Sequence, residues 1–178
     1  MSKSIQSYWE LLEPYLESFD IYEGPEHFFN SVAKVPRLSV LLYAAHMSWS
    51  EIENGGFLQL FVNSTGLIVP EAIEAFRLIE MPIASNLIAE ASLSLGTPYP
   101  RERNGRQRAL LVASGLSDED LRSIFDKQPP DSYRGFAEAT RPLSFRRLED
   151  QFWEEAGNEN GGLEAAATLY AQNAGQVS

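Results

Sequence analysis

Apolar residues in this chain recur at steps of three and four, and nowhere do they alternate with polar ones over the length of a strand, so helices are the only regular structure the pattern supports. Ile5, Tyr8, Trp9, Leu12, Leu16 and Phe19 mark one face of an amphipathic helix that Pro14 kinks or splits. Gly24-Pro25 opens a short helix carrying Phe28, Phe29 and Val32. Pro36 suits the first position of the next, which buries Leu38, Leu41, Leu42, Ala45, Trp49 and Ile52 and continues as far as Asn63, with Gly66 as a stop. Pro70 starts a helix through Ile79, and Pro82 starts or kinks one that reaches Leu95. Gly96 to Gly105 has the Pro and Gly density of a connection. Further helices are expected at 106–114, 117–126, 142–156 and 161–173, the second capped by Ser117 with Asp118, Glu119 and Asp120 in its first turn. Leu67 to Val69 comes nearest to a strand and is too short. The prediction is an all-α fold: a single-domain bundle of about eight to ten helices over residues 1–178, with an acidic N-terminal half (1–95) and C-terminal helices (106–178).

Composition removes most catalytic chemistry. There is no cysteine, hence no disulfide framework, thiol nucleophile or cysteine-based zinc site, and only His27 and His46 supply imidazole. No Ser lies in a G-x-S-x-G elbow, and neither His has H-E-x-x-H spacing, so His46 reads as a packed histidine. No catalytic residue, metal or cofactor is expected. The N-terminus lacks the zones of a signal peptide, and the apolar run Leu38 to Met47 is too short to span a bilayer, which gives a cytoplasmic expectation with no membrane contact.

The net charge of −11 is uneven, with 12 acids against 4 bases in residues 1 to 100 and 13 against 10 in residues 101 to 178. Such a surface repels nucleic acid and attracts basic partners. Glu10, Glu13, Glu17 and Asp20 lie three or four residues apart, so on an α-helix they form a stripe rising about 5 Å per charge. Glu23 and Glu26 extend it.

Gly55 and Gly56 interrupt an otherwise helical stretch. Inside an unbroken helix the pair would cost about 2 kcal/mol relative to alanine. A corner is cheaper: Asn54-Gly55-Gly56 ends one helix in a left-handed conformation and lets the next leave at an angle, with Trp49, Ile52, Phe57, Leu60 and Phe61 packing across it and Gln59 and Asn63 satisfying backbone groups at helix ends. The pair fits neither phosphate-binding motif. Glu53-Asn54-Gly55-Gly56-Phe57 recurs as Glu159-Asn160-Gly161-Gly162-Leu163, which reads as one corner used twice.

Trp49, the run Glu53, Asn54, Gly55, Gly56, Phe57, with Gln59 and Phe61, and then Asn63, Ser64 and Gly66 resemble the bacterial DNA-mimic protein 19-like family, and Leu148 to Trp153 resembles a later family helix. The resemblance implies an all-helical, dimeric, non-enzymatic protein whose acidic surface imitates duplex DNA and occupies the DNA-binding face of a basic protein such as a transcriptional regulator. On that expectation Glu10, Glu13, Glu17, Asp20, Glu23 and Glu26 bind the partner, and the motif residues are structural. The alternative is an immunity-type protein that neutralises a toxin by direct binding. Arg101, Arg103, Arg106 and Arg108, with Arg134, Arg141, Arg146 and Arg147, make the second half less acidic than a mimic needs, so mimicry would be confined to one face.

Overall fold

The computed structural model describes residues 5–117, 119–120, 122–123, 137–138, 140–141 and 143–174. Among these there is no strand; the chain is built of α-helices joined by short 3-10 helices, an all-α bundle as the periodicity predicts. The α-helices are α1 (Pro25–Ser31), α2 (Arg37–Val62), α3 (Val69–Leu78), α4 (Pro82–Ser92), α5 (Arg103–Ala113), α6 (Arg146–Glu154) and α7 (Gly162–Ala174). One apolar core runs from Tyr8 to Ala171, with α2 at its centre. α3, α5 and α7 pack against α2, α4 packs against α3, and α6 lies on α4. No single helix among the described residues is long and apolar enough to cross a membrane.

Prolines set most of the helix starts. Pro25, Pro70 and Pro82 each stand in the first turn, where their missing N–H costs nothing. Pro36 is instead the cap residue, with extended ψ, and α2 begins one residue later than expected. The N-terminal periodicity does not make an α-helix: Tyr8–Leu11 and Glu13–Ser18 are two 3-10 helices meeting at Leu12, because Pro14 denies the backbone an i to i−4 bond at that point. Gly66 is no helix stop. α2 ends at Asn63, and Gly66 is buried inside the 3-10 helix Ser64–Ile68, where a Cβ would crowd the Leu60 carbonyl and the Arg106 guanidinium.

α5 starts at Arg103, earlier than the expected 106, and α6 and α7 fall inside or beside their expected ranges. Ser117 caps as expected: its Oγ accepts from Asp120 N at 3.2 Å and donates to the Asp120 carboxylate at 2.6 Å. The rest of the helix expected at 117–126 lies largely outside the described residues, as does Arg134.

Candidate functional site

The motif residues converge on α2, which is broken at its glycines. Gly55 is extended (φ −166°, ψ 24°), and Gly56 has φ 74° and ψ −171°. The corner is therefore not left-handed helical, as expected, but a mirror-extended turn at Gly56, a conformation open essentially to glycine alone. Gly162 shares it (φ 85°, ψ 173°), whereas Gly161 has φ 81° where Gly55 is extended, and Asn160 is itself left-handed (φ 50°, ψ 30°). The two echoing segments thus share one glycine geometry, not a whole corner.

At the break Glu149 of α6 serves the backbone, its Oε1 accepting from Phe57 N at 3.1 Å. A Cβ on Gly56 would fall on that carboxylate. Burial pushes the Glu149 carboxyl above its ordinary value, the Phe57 hydrogen bond pulls it back, and neighbouring Asp150 adds to the rise. In the same manner Glu159 caps α4, accepting from Ile83 N at 2.9 Å and Ala84 N at 3.1 Å.

Gln59 and Asn63 do not satisfy helix ends. Both turn to Glu51, whose Oε2 accepts from Gln59 Nε2 at 2.8 Å and Asn63 Nδ2 at 2.9 Å while its Oε1 accepts from Thr65 Oγ1 at 2.8 Å. This half-buried carboxylate has its donors close by in the fold and was missed in the sequence. The available signal was two amides four residues apart, on one face of a helix that also carries an acid. Trp49 packs between Phe76 and Phe152 and donates its indole N–H to Glu53 Oε1 at 2.9 Å. Phe57 and Phe61 are fully buried with Phe145 and Phe152. Asn54 reaches Ser50 at 3.4 Å.

The arginines run against expectation. Arg106 is wholly buried and donates to the carbonyls of Phe61 at 2.9 Å, Asn63 at 2.7 Å and Arg101, so it satisfies the C-terminus of α2. Burial pulls its guanidinium below the usual arginine value. Arg103 Nε donates to the Val62 carbonyl at 3.0 Å. Arg101 forks onto the buried Glu71 at 2.7 and 2.9 Å, with its guanidinium over the Phe29 ring. Tyr99 donates to the Gly66 carbonyl at 2.7 Å. Arg101 and Arg106 are therefore internal fastenings that do not dilute the acidic surface.

The six acids of the N-terminal segment occupy three different settings. Glu10, in the first 3-10 helix, accepts from Gln6 N at 2.8 Å. Asp20 is tied to His27 Nε2 at 3.3 Å and to Tyr22 N at 3.0 Å. Glu13, Glu17, Glu23 and Glu26 are exposed, and their side chains make no hydrogen bond or ion pair with another described residue. The expected straight stripe is not formed, since the acids are divided among two 3-10 helices, a loop and α1. Exposed Glu102 joins them from the second half of the chain, its Oε2 lying 3.8 Å from where a Cβ on Gly24 would stand. His46 is packed as expected, sharing a 2.8 Å hydrogen bond with Tyr8 and lying 5.1 Å from the Trp9 ring. Burial lowers its pKa and raises that of Tyr8 to about 12.

Two clefts flank these residues. One, of about 270 Å³, separates the Tyr22–Pro25 loop from the start of α5 and includes Ser64 in its wall. The other, of about 360 Å³, lies over the glycine break, between Glu53–Gly56 and the stretch from Arg141 to Trp153. Among the described residues no group of three or more metal-ligating side chains comes together.

No curated protein and no solved structure matches the chain. Residues 33–173 match the profile of the family described as DMP19-like protein, a span that holds the whole glycine motif and leaves the acids from Glu10 to Glu26 outside it. With its broken α2, its polar cluster and nearly all of its helical core inside the matched span, the chain belongs to the DMP19-like protein family.

Proposed function

We propose that this protein is an acidic, non-enzymatic binding protein that acts in the cytoplasm as a DNA mimic, occupying the DNA-binding surface of a basic protein such as a transcriptional regulator. Membership in the DMP19-like family supports this reading. The observation that carries it is the disposition of charge. Glu13, Glu17, Glu23 and Glu26 stand exposed and uncommitted, while Arg106 is wholly interior and Arg101 is neutralised by Glu71. Arg106 therefore puts no guanidinium on the outer surface to offset these acids. Exposed carboxylates of this kind contribute little to folding and much to the steering of association. A two-fold homodimer would set two such segments side by side.

Replacing Glu13 and Glu17, or Glu23 and Glu26, with Lys tests the reading. A partner captured from native lysate at low salt should bind each double variant more weakly, with a shallower salt dependence and an unchanged melting temperature. Undiminished binding would remove these acids from the interface.

A further inference from the structure

Asparagine followed by glycine occurs three times in the chain, at Asn54-Gly55, Asn104-Gly105 and Asn160-Gly161. The amide of such an asparagine is open to attack by the backbone nitrogen of the next residue, because glycine puts no side chain in the way, and asparagine is among the chemically labile residues. In the folded chain the three steps are not equal. Asn54 ends an unbroken helical run from Arg37, in which each N–H is given to the carbonyl four residues back, and its side chain rests on Ser50 Oγ at 3.4 Å. Asn160 is left-handed, and its amide donates to the Glu80 carbonyl. Asn104 is exposed, and its side chain makes no hydrogen bond with another described residue. It is the second residue of α5, whose ladder begins with Arg106 N–H on the Glu102 carbonyl at 3.0 Å. The Gly105 N–H, one residue earlier, is one of those that a helix start leaves without an intrahelical acceptor. Packing favours glycine there, since an added Cβ would lie 3.3 Å from Pro100 Cβ.

We propose that Asn104 is a site of spontaneous modification, at which the side-chain amide is converted to a carboxylate. Gly105 N attacks Asn104 Cγ: the N–Cγ bond forms, the Cγ–Nδ2 bond breaks, and the Gly105 N–H proton leaves with the amide group as ammonia. Water then opens the cyclic imide at one of its two carbonyls, giving aspartate or isoaspartate, so the net change is amide plus water to carboxylate plus ammonium. Closure requires the Asn104 backbone to leave the helical course, which costs least in the first turn of a helix. The aspartate product is also favoured in place. α5 has no acid in its first turn, and its N-cap Glu102 makes no side-chain cap bond, so a carboxylate there meets an uncompensated helix dipole. Asn104 lines the cleft of about 270 Å³ together with Glu23 and Glu102, so the new charge joins two exposed acids. The chemistry does not rest on the reading of a basic partner.

The test is incubation of the full chain at mildly alkaline pH, in native buffer and in concentrated urea, followed by cleavage after glutamate at mildly acidic pH and mass spectrometry. Cuts after Glu53, Glu102 and Glu159 put the three steps in separate peptides. Each modified asparagine makes its peptide heavier by about one mass unit, and fragment ions place the change. In native buffer the peptide that starts at Arg103 should gain mass at least fivefold faster than those that start at Asn54 and Asn160, and in urea the three rates should converge. Asn104→Gln, whose longer side chain would have to close a larger and slower ring, should abolish the gain and leave the melting temperature unchanged. A native rate at Asn104 no faster than at Asn54 or Asn160, or a gain that persists in Asn104→Gln, would overturn the assignment.

Discussion

Gly56 and Gly55 are neighbours with different obligations. Gly56 needs a backbone region closed to side chains, and any Cβ there also meets the Glu149 carboxylate. Gly55 has an extended φ, as any residue can, and a Cβ there meets the Gln59 side chain, most closely its flexible amide end. Gly56→Ala is therefore expected to lower stability by about 1–3 kcal/mol, and Gly55→Ala by less; urea unfolding of the two variants checks the order, and the reverse order would contradict the geometry. Glu149 gives a second expectation at this scale. Its folded pKa is raised, so the native state binds the proton more tightly than the unfolded chain; the resulting stability is present below the ordinary value of 4.5 and is lost as pH rises through the folded value. Glu149→Gln keeps an acceptor for Phe57 N–H without the buried charge. The wild type should accordingly gain stability relative to this variant as pH falls from 7 toward 4.5, measured by denaturant unfolding at each pH. A gap that widens in the opposite direction would show that the hydrogen bond outweighs burial.

Helix ends organise the elements, and they explain what the sequence revealed. Starts were legible because proline and Ser117 act through local sterics and local hydrogen bonds: Pro25, Pro70, Pro82 and Ser117 do as their positions predict. The 3-10 form of residues 8–18 was not legible, because apolar residues three and four apart suit both helix types and only the backbone bonds around Pro14 decide. The partners of the helix ends were hidden as well. Glu149 reaches Phe57 across 92 residues, Glu159 reaches Ile83 across 76, and Arg106 reaches Phe61 across 45. Such pairings exist only once the chain is folded, so nothing in the sequence distinguishes the buried Arg106 from a surface charge. Arg106→Met should strand several buried carbonyls at the end of α2 and lower stability by on the order of 3 kcal/mol or more; a thermal melt with little change would mean that other donors serve those carbonyls.

Across the molecule, Arg103, Arg106, Glu149 and Glu159 of the second half reach helix ends of the first, while the first half leaves most of its N-terminal acids in water. The glycine motif was legible as a corner, and so was the separation of Glu26 from the first acids by Gly24-Pro25; the 3-10 form of the segments that carry Glu10, Glu13 and Glu17 was not, because the spacing of their apolar residues suits both helix types. If two copies present their acids jointly, light scattering at micromolar concentration should give twice the 19.9 kDa chain mass. A monomer would remove the paired-surface argument and leave the acids to act singly.

The claim that this acidic surface takes the place of DNA is tested most directly by competition. The partner is captured from native lysate at low salt, identified and purified, and its complex with this protein is titrated with the duplex that the partner itself binds. Both ligands would use the same arginine and lysine side chains, so the duplex should displace this protein completely, with a midpoint that shifts in proportion to the amount of protein present. A stable ternary complex of protein, partner and duplex would contradict the account and leave the acidic surface as an aid to solubility alone.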